Sequence, residues 1–142
     1  MPTLDEIYAR TEPLRLGQLI KELKEVADAD GTVPRMEKAE KWVVFDWDYR
    51  VPVDLYSYRG YYDDVAIEAK LVGPRNADLG SFIKMLEDRV GDDMEGYKGG
   101  TFEILLSCRC WAVEDDSHAP GVGIVGVFDR GYEAVICTRV FE

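Results

Sequence analysis

The sequence predicts an α+β fold, a largely antiparallel sheet with two main amphipathic helices packed on one face. Three observations predict it. Apolar residues recur at helical spacing in two segments, 16 to 28 and 78 to 90. Several runs of β-branched and aromatic residues alternate or stay apolar over strand lengths. The last two of these runs are joined at Asp129-Arg-Gly131, a hairpin signal. The 142 residues suit a single domain over 1–142.

Each element has a local cause. Residues 3 to 9 read as a short helix, because Thr3 and Glu6 have the spacing of a capping box. Pro13 breaks the chain before the stronger helix at 16 to 28. There Leu16, Leu19, Ile20, Leu23, Val26 and Ala27 form a stripe that needs a sheet or second helix to cover it. Asp28-Ala-Asp-Gly31 ends that helix, and 32 to 41 is polar. Trp42 to Trp47 reads as a strand, residues 56 to 62 as a loop or irregular strand, and Asp64 to Val72 as a strand. Gly73-Pro-Arg-Asn76 is a turn. Asp78 is placed to cap a helix running to about Val90, with Leu79, Phe82, Ile83, Leu86 and Val90 on one face and Gly91-Asp-Asp93 as its stop. Phe102 to Val113 reads as one long strand, 114 to 120 as a polar loop, and 122 to 128 and 132 to 141 as strands.

Bulk composition narrows the function classes. Charged residues make up 32% of the chain, and no apolar run reaches the length of a membrane span, nor does a leader precede the first helix, so a cytoplasmic protein is expected. A net charge of -11 opposes general binding to nucleic acid, which needs a basic footprint. It leaves room for a local Arg/Lys pocket, because close contacts outweigh distant screened charge. Cys108, Cys110 and Cys137 are an odd number and read as reduced thiols. With His118 the only histidine, neither a zinc site nor any other metal or cofactor is expected.

Several motifs are incomplete. Asp28, Asp30, Gly31, Val33 and Glu37 follow calcium-loop spacing, but Val26 stands where the first carboxylate belongs and Pro34 falls at the ninth position. Gly121, Gly123 and Gly126 match the dinucleotide fingerprint, yet a strand continues where a helix must start, so a bulge or close backbone approach is the plainer reading. His118 and Ser117 are adjacent in a polar loop and make a poor nucleophile–base pair. Asp46 and Asp48 would share a strand face, which keeps a two-acid hydrolase open.

The most pointed segment is Tyr56-Ser-Tyr-Arg-Gly-Tyr-Tyr62, with four of the chain's eight tyrosines and one arginine in seven residues. Tyr offers a wide apolar face with a polar tip, and Arg both stacks on rings and pairs with anions. The block reads equally as an aromatic cluster packed on the sheet or as a recognition surface. Gly96-Tyr-Lys-Gly-Gly100 is a second candidate, a turn able to expose backbone N–H groups beside Lys98, or else a simple hairpin approach. The residues put forward as ligand-binding are Tyr58, Arg59, Tyr61, Tyr97, Lys98 and Arg109, for a small nucleotide-like anion that is bound and not transformed. A protein-interaction module built on acids and exposed tyrosines is the alternative.

Ser57-Tyr-Arg-Gly-Tyr-Tyr62, Gly96-Tyr-Lys-Gly-Gly100 and the Trp-bearing strand that follows resemble a group of small phage and prophage proteins. In that group a Leu-rich first helix, like Leu16 to Leu23, precedes an arginine-containing aromatic block. The resemblance covers roughly residues 16 to 126, departs after Gly100 and around Cys108 to Ala112, and the chain carries extra sequence at 32 to 41 and 114 to 120. Some phage proteins of this general build resemble anti-defence sponges, of which the anti-Thoeris sponges that sequester cyclic ADP-ribose signals are the nearest in kind. The resemblance implies a homo-oligomer that binds without turnover, with arginines on the phosphates and aromatics on the base. Arg59 is its best-matched residue; Arg109 on the long strand lies where the resemblance departs and is put forward beside it.

Overall fold

The stripe of Leu16, Leu19, Ile20, Leu23 and Val26 is buried along its whole length, and the main core gathers around it. The structure is a computed structural model and describes residues 2–29, 41–59, 61–71, 77–114 and 121–141. The calcium-like loop beyond Ala29, the turn at 73 to 76 and the Ser117–His118 pair lie outside the described residues. In chain order the elements are α1 (Leu4–Tyr8), α2 (Leu16–Asp28), β1 (Trp42–Phe45), β2 (Val51–Ser57), β3 (Asp64–Lys70), β4 (Ala77–Asp78), α3 (Leu79–Arg89), β5 (Asp93–Glu95), β6 (Thr101–Glu103), β7 (Arg109–Glu114), β8 (Val122–Asp129) and β9 (Glu133–Val140). A short 3₁₀ turn, Tyr97–Gly99, joins β5 to β6.

The caps do what their sequence requires. Glu6 N donates to Thr3 Oγ1 at 3.2 Å, closing the capping box of α1. Ser81 N donates to Asp78 Oδ2 at 2.8 Å, which satisfies an orphan N–H of α3. Past the end of α3, Gly91 takes a φ of 94°, a conformation open to glycine and costly to other residues.

Seven strands form one sheet in the order β2-β3-β7-β8-β9-β1-β4, and β5 and β6 form a separate pair. The sheet is mixed, which corrects the expectation of a largely antiparallel one. β1 pairs with β9 and β3 pairs with β7 in parallel, alongside four antiparallel pairings. The hairpin between β8 and β9 is local and readable. The parallel pairings join segments far apart in sequence, and strand composition carries no sign of direction. The long strand expected at 102 to 113 is two strands. β6 leaves the main sheet to pair with β5, and a turn closed by Cys108 N to Leu105 O at 3.0 Å separates it from β7.

One face of the sheet carries Leu55, Val65, Ile67, Cys110, Ala112, Ile124, Val127 and Ile136 into the main core with the buried residues of α2 and α3. On the other face Ile7 of α1 packs on Val125 and Cys137, with Phe128 and Phe141 beside them. A register shift between Ile124 and Gly126 marks a bulge in β8. A Cβ on Gly126 would stand 2.6 Å from Ile7 Cγ2, and one on Gly123 would stand 2.6 Å from the Phe141 ring and 2.8 Å from Pro13. The two glycines of the fingerprint that fall in β8 are therefore places of close approach. No helix among the described residues is long and apolar enough to cross a membrane.

Gly126→Ala is expected to push α1 off the sheet and destabilise the protein by about 1–3 kcal/mol. Urea unfolding would show this as a lower midpoint at unchanged slope.

Candidate functional site

The Tyr/Arg block begins on β2 and leaves it at Tyr58. Arg59 then takes a left-handed φ of 53°, and Tyr61 N donates to Tyr58 O at 2.9 Å, which closes a tight turn. The turn lays the Tyr58 ring flat on Trp111 of β7, with centroids 4.6 Å apart and planes 4° from parallel. Tyr61 meets Tyr58 edge-on at 6.0 Å, and the Arg59 guanidinium lies 5.2 Å over the Tyr58 ring. Trp111 in turn meets Phe141 edge-on at 6.1 Å, and Arg139 lies 5.6 Å over Phe141. Tyr58 is 4% exposed, whereas Tyr61 is 51% exposed. Tyr58 is thus a wall that holds Arg59, and Tyr61 is the ring with a face open to solvent.

Arg109 opens β7 at the rung where it faces Asp64. Its Nε and Nη2 donate to Asp64 Oδ1 and Oδ2 at 2.7 and 3.2 Å, a forked pair. Asp64 is buried and the Arg109 side chain is half-exposed. Arg109 N also donates to Asp63 O at 2.9 Å. Arg109 therefore has a structural duty as well as an open edge.

The second block meets the first through Tyr62. A Cβ on Gly96 would overlap the Tyr62 ring and one on Gly100 would overlap its hydroxyl, and Phe102 meets that ring edge-on at 6.0 Å. Gly96 N donates to Gly100 O at 2.7 Å across the turn. Lys98 is exposed at its apex in a left-handed conformation with a φ of 60°. Tyr97 shares the turn, and its side chain lies outside the described ones. The glycines that sequence reading offered as anion-binding N–H donors thus make room for a tyrosine of the other block. Trp111, Phe141, Asp64 and Tyr62 complete the arrangement. The signal for Trp111 was its place two residues from Arg109 on a strand, and so on the same face.

Other chemistry is sparse. Asp46 and Asp48 do not share a strand face, because β1 stops at Phe45 and Asp48 turns into a left-handed φ of 52°. Asp46 accepts from Tyr8 Oη at 2.6 Å, Thr138 N at 2.8 Å and Thr138 Oγ1 at 2.7 Å. The three cysteines are free and buried. Burial raises the thiol pKa of each, to about 11 for Cys137. No cluster of three or more metal-ligating side chains occurs among the described residues. The groove between α2 and α3, the cavity under α1 and the hollow beside Pro13 contain none of the block's side chains. No protein-family model, curated protein or solved structure matches the chain.

Two outcomes follow from these contacts. Arg109→Ala strands the buried Asp64 carboxylate and is expected to cost about 2 kcal/mol or more, against less than about 1 kcal/mol for Arg59→Ala, by chemical denaturation. A thiol reagent at neutral pH is expected to label none of the three cysteines in the native protein and all of them in denaturant. The raised Cys137 pKa favours the folded state fully below the unfolded thiol value, and that contribution is lost as pH rises towards about 11.

Proposed function

We propose that the chain is a non-catalytic binding protein for a small nucleotide-like anion, which it holds without transforming. The observation that carries this reading is Arg59, kept in a left-handed conformation over a tyrosine that is itself stacked on Trp111. A bulky residue at positive φ stores strain, and strain held in place by surrounding packing gathers at ligand sites. A guanidinium on a rigid aromatic support loses little freedom when it meets a phosphate. Tyr61 offers its exposed ring to a base, where stacking is worth roughly 1–3 kcal/mol. Lys98 and the open edge of Arg109 add charge, Tyr97 lies in the adjoining turn, and Tyr58 and Asp64 position the arginines.

The resemblance to anti-Thoeris sponges supplies the ligand class, a cyclic ADP-ribose type of immune signal, and the purpose, its sequestration. The open setting of the block favours a homo-oligomer in which a second copy closes over the ligand. A second reading, docking on a host protein, draws on the exposure of Tyr56, Tyr61 and Tyr62 at 45%, 51% and 47%. Such a complex, held through the acidic surface, should weaken as salt rises, and a small ligand in a closed site should weaken less.

Thermal unfolding with and without cyclic ADP-ribose tests the first reading. The parent is expected to gain melting temperature and to return the nucleotide intact, while Arg59→Ala keeps the ligand-free melting temperature and loses the gain. An Arg59→Ala variant stabilised as strongly as the parent would show the reading to be wrong. Native mass spectrometry of protein purified from cells reports the subunit number and any retained small molecule.

A further inference from the structure

On the α1 side of the sheet, away from the Tyr/Arg block, a cavity of about 280 Å³ lies between α1, the end of β1 and strands β8 and β9. Four aromatic side chains line it, Tyr8, Phe45, Tyr49 and Phe128, together with the carboxylate of Asp46. We propose that this cavity is a binding site for a small organic ammonium cation of about the size of choline, held by aromatic rings and one carboxylate.

The wall is built rather than incidental. Three hydrogen bonds hold Asp46, from Tyr8 Oη, Thr138 N and Thr138 Oγ1, so its carboxylate is fixed at the edge of the cavity. The Tyr8 phenol is held neutral, because burial and the neighbouring Asp46 both raise its pKa. Tyr49 comes to the rim through two successive left-handed residues, Asp48 at φ 52° and Tyr49 at φ 50°, in a turn closed by Phe45 N to Arg50 O at 2.7 Å. Two non-glycine residues in that region are costly, and packing of the ring does not explain the cost, since Tyr49 is 68% exposed.

The charges decide between a cation and an anion. The charged groups lining the cavity are Asp46 and Arg130. Arg130 is paired with Glu133 at 3.0 Å, so its charge is offset by a glutamate that is itself buried. Asp46 has no cationic partner among these contacts, which leaves the cavity with a net negative charge beside neutral ring faces. Arg130 lies 5.9 Å from the Tyr49 ring centroid, so that ring already holds one cation over a face. The net charge of -11 raises the local concentration of cations further. The cavity volume suits a trimethylammonium head with a short polar tail that can donate to Asp46.

Titration of the full chain by amide NMR tests this with choline and two isosteres. One is the uncharged alcohol in which a tert-butyl group replaces trimethylammonium, and the other is tert-butylacetate. Choline is expected to shift the amides of Tyr49, Phe128 and Thr138 saturably, about tenfold tighter than the alcohol, the range a desolvated cation–π contact supplies. Tyr49→Gly removes the ring and accepts the left-handed backbone. It is expected to lose about fivefold or more in choline affinity with the melting temperature retained. Arg59→Ala is expected to bind choline as the parent does, which separates this site from the Tyr/Arg block. The proposal is overturned if choline gives no saturable shift, if its shifts fall elsewhere, or if the alcohol or the carboxylate binds as tightly as choline.

Discussion

Asp64 is a carboxylate buried at the first rung of a parallel ladder, and a buried charge needs a partner. Arg109 is that partner, through a fork that only guanidinium geometry supplies. The pair fixes the register of β3 against β7, and register decides everything above it. One residue of slip would carry Trp111 to the helix face and Cys110 to the open face. With the register held, Trp111 lies where the chain leaving β2 can stack Tyr58 upon it. Arg59, Tyr61 and the Tyr62 contact to the glycine turn all follow from that stack.

The sheet divides its two faces between different tasks. One is closed by α2 and α3 over a continuous apolar core. The other is covered by α1 only along β8 and β9. The polar and aromatic chemistry of the chain collects on this second face, with the Tyr58–Trp111–Phe141 series on one side and the Tyr8–Asp46–Thr138 contacts on the other. Glycines recur where something lies close to the backbone. Gly126 lies under Ile7, Gly123 under Phe141, and Gly96 and Gly100 against Tyr62. Their common role is steric, although two of the motifs they form look like phosphate loops on paper.

The acidity of the chain and the arginines of its open face are compatible because their ranges differ. Charge spread over the surface is screened within about 10 Å at ordinary salt, whereas a guanidinium touching its partner is not. Several arginines on this face are already engaged. Arg109 is bound to Asp64, Arg10 to Glu22 and Val125 O, and Arg139 to the carbonyls of Tyr8 and Arg10. Arg59 rests over the Tyr58 ring in a left-handed conformation, and for that reason it leads the proposed site.

Local chemistry settled what depends on near neighbours in the chain. The Thr3–Glu6 box, the Asp78 cap, the apolar stripe of α2 and the Asp129-Arg-Gly131 hairpin were all legible, because caps, turns and periodicity act over a few residues. The Tyr/Arg block was legible as unusual but not as a structure, since the residue that organises it, Trp111, is some fifty positions away. Tertiary structure alone decided the parallel pairings, the split of the 102 to 113 run, the burial of Tyr58 beside the exposure of Tyr61, and the tie of Arg109 to Asp64. Each of these joins residues distant in sequence, and a strand's composition specifies which face it buries without specifying which partner it meets or in which direction.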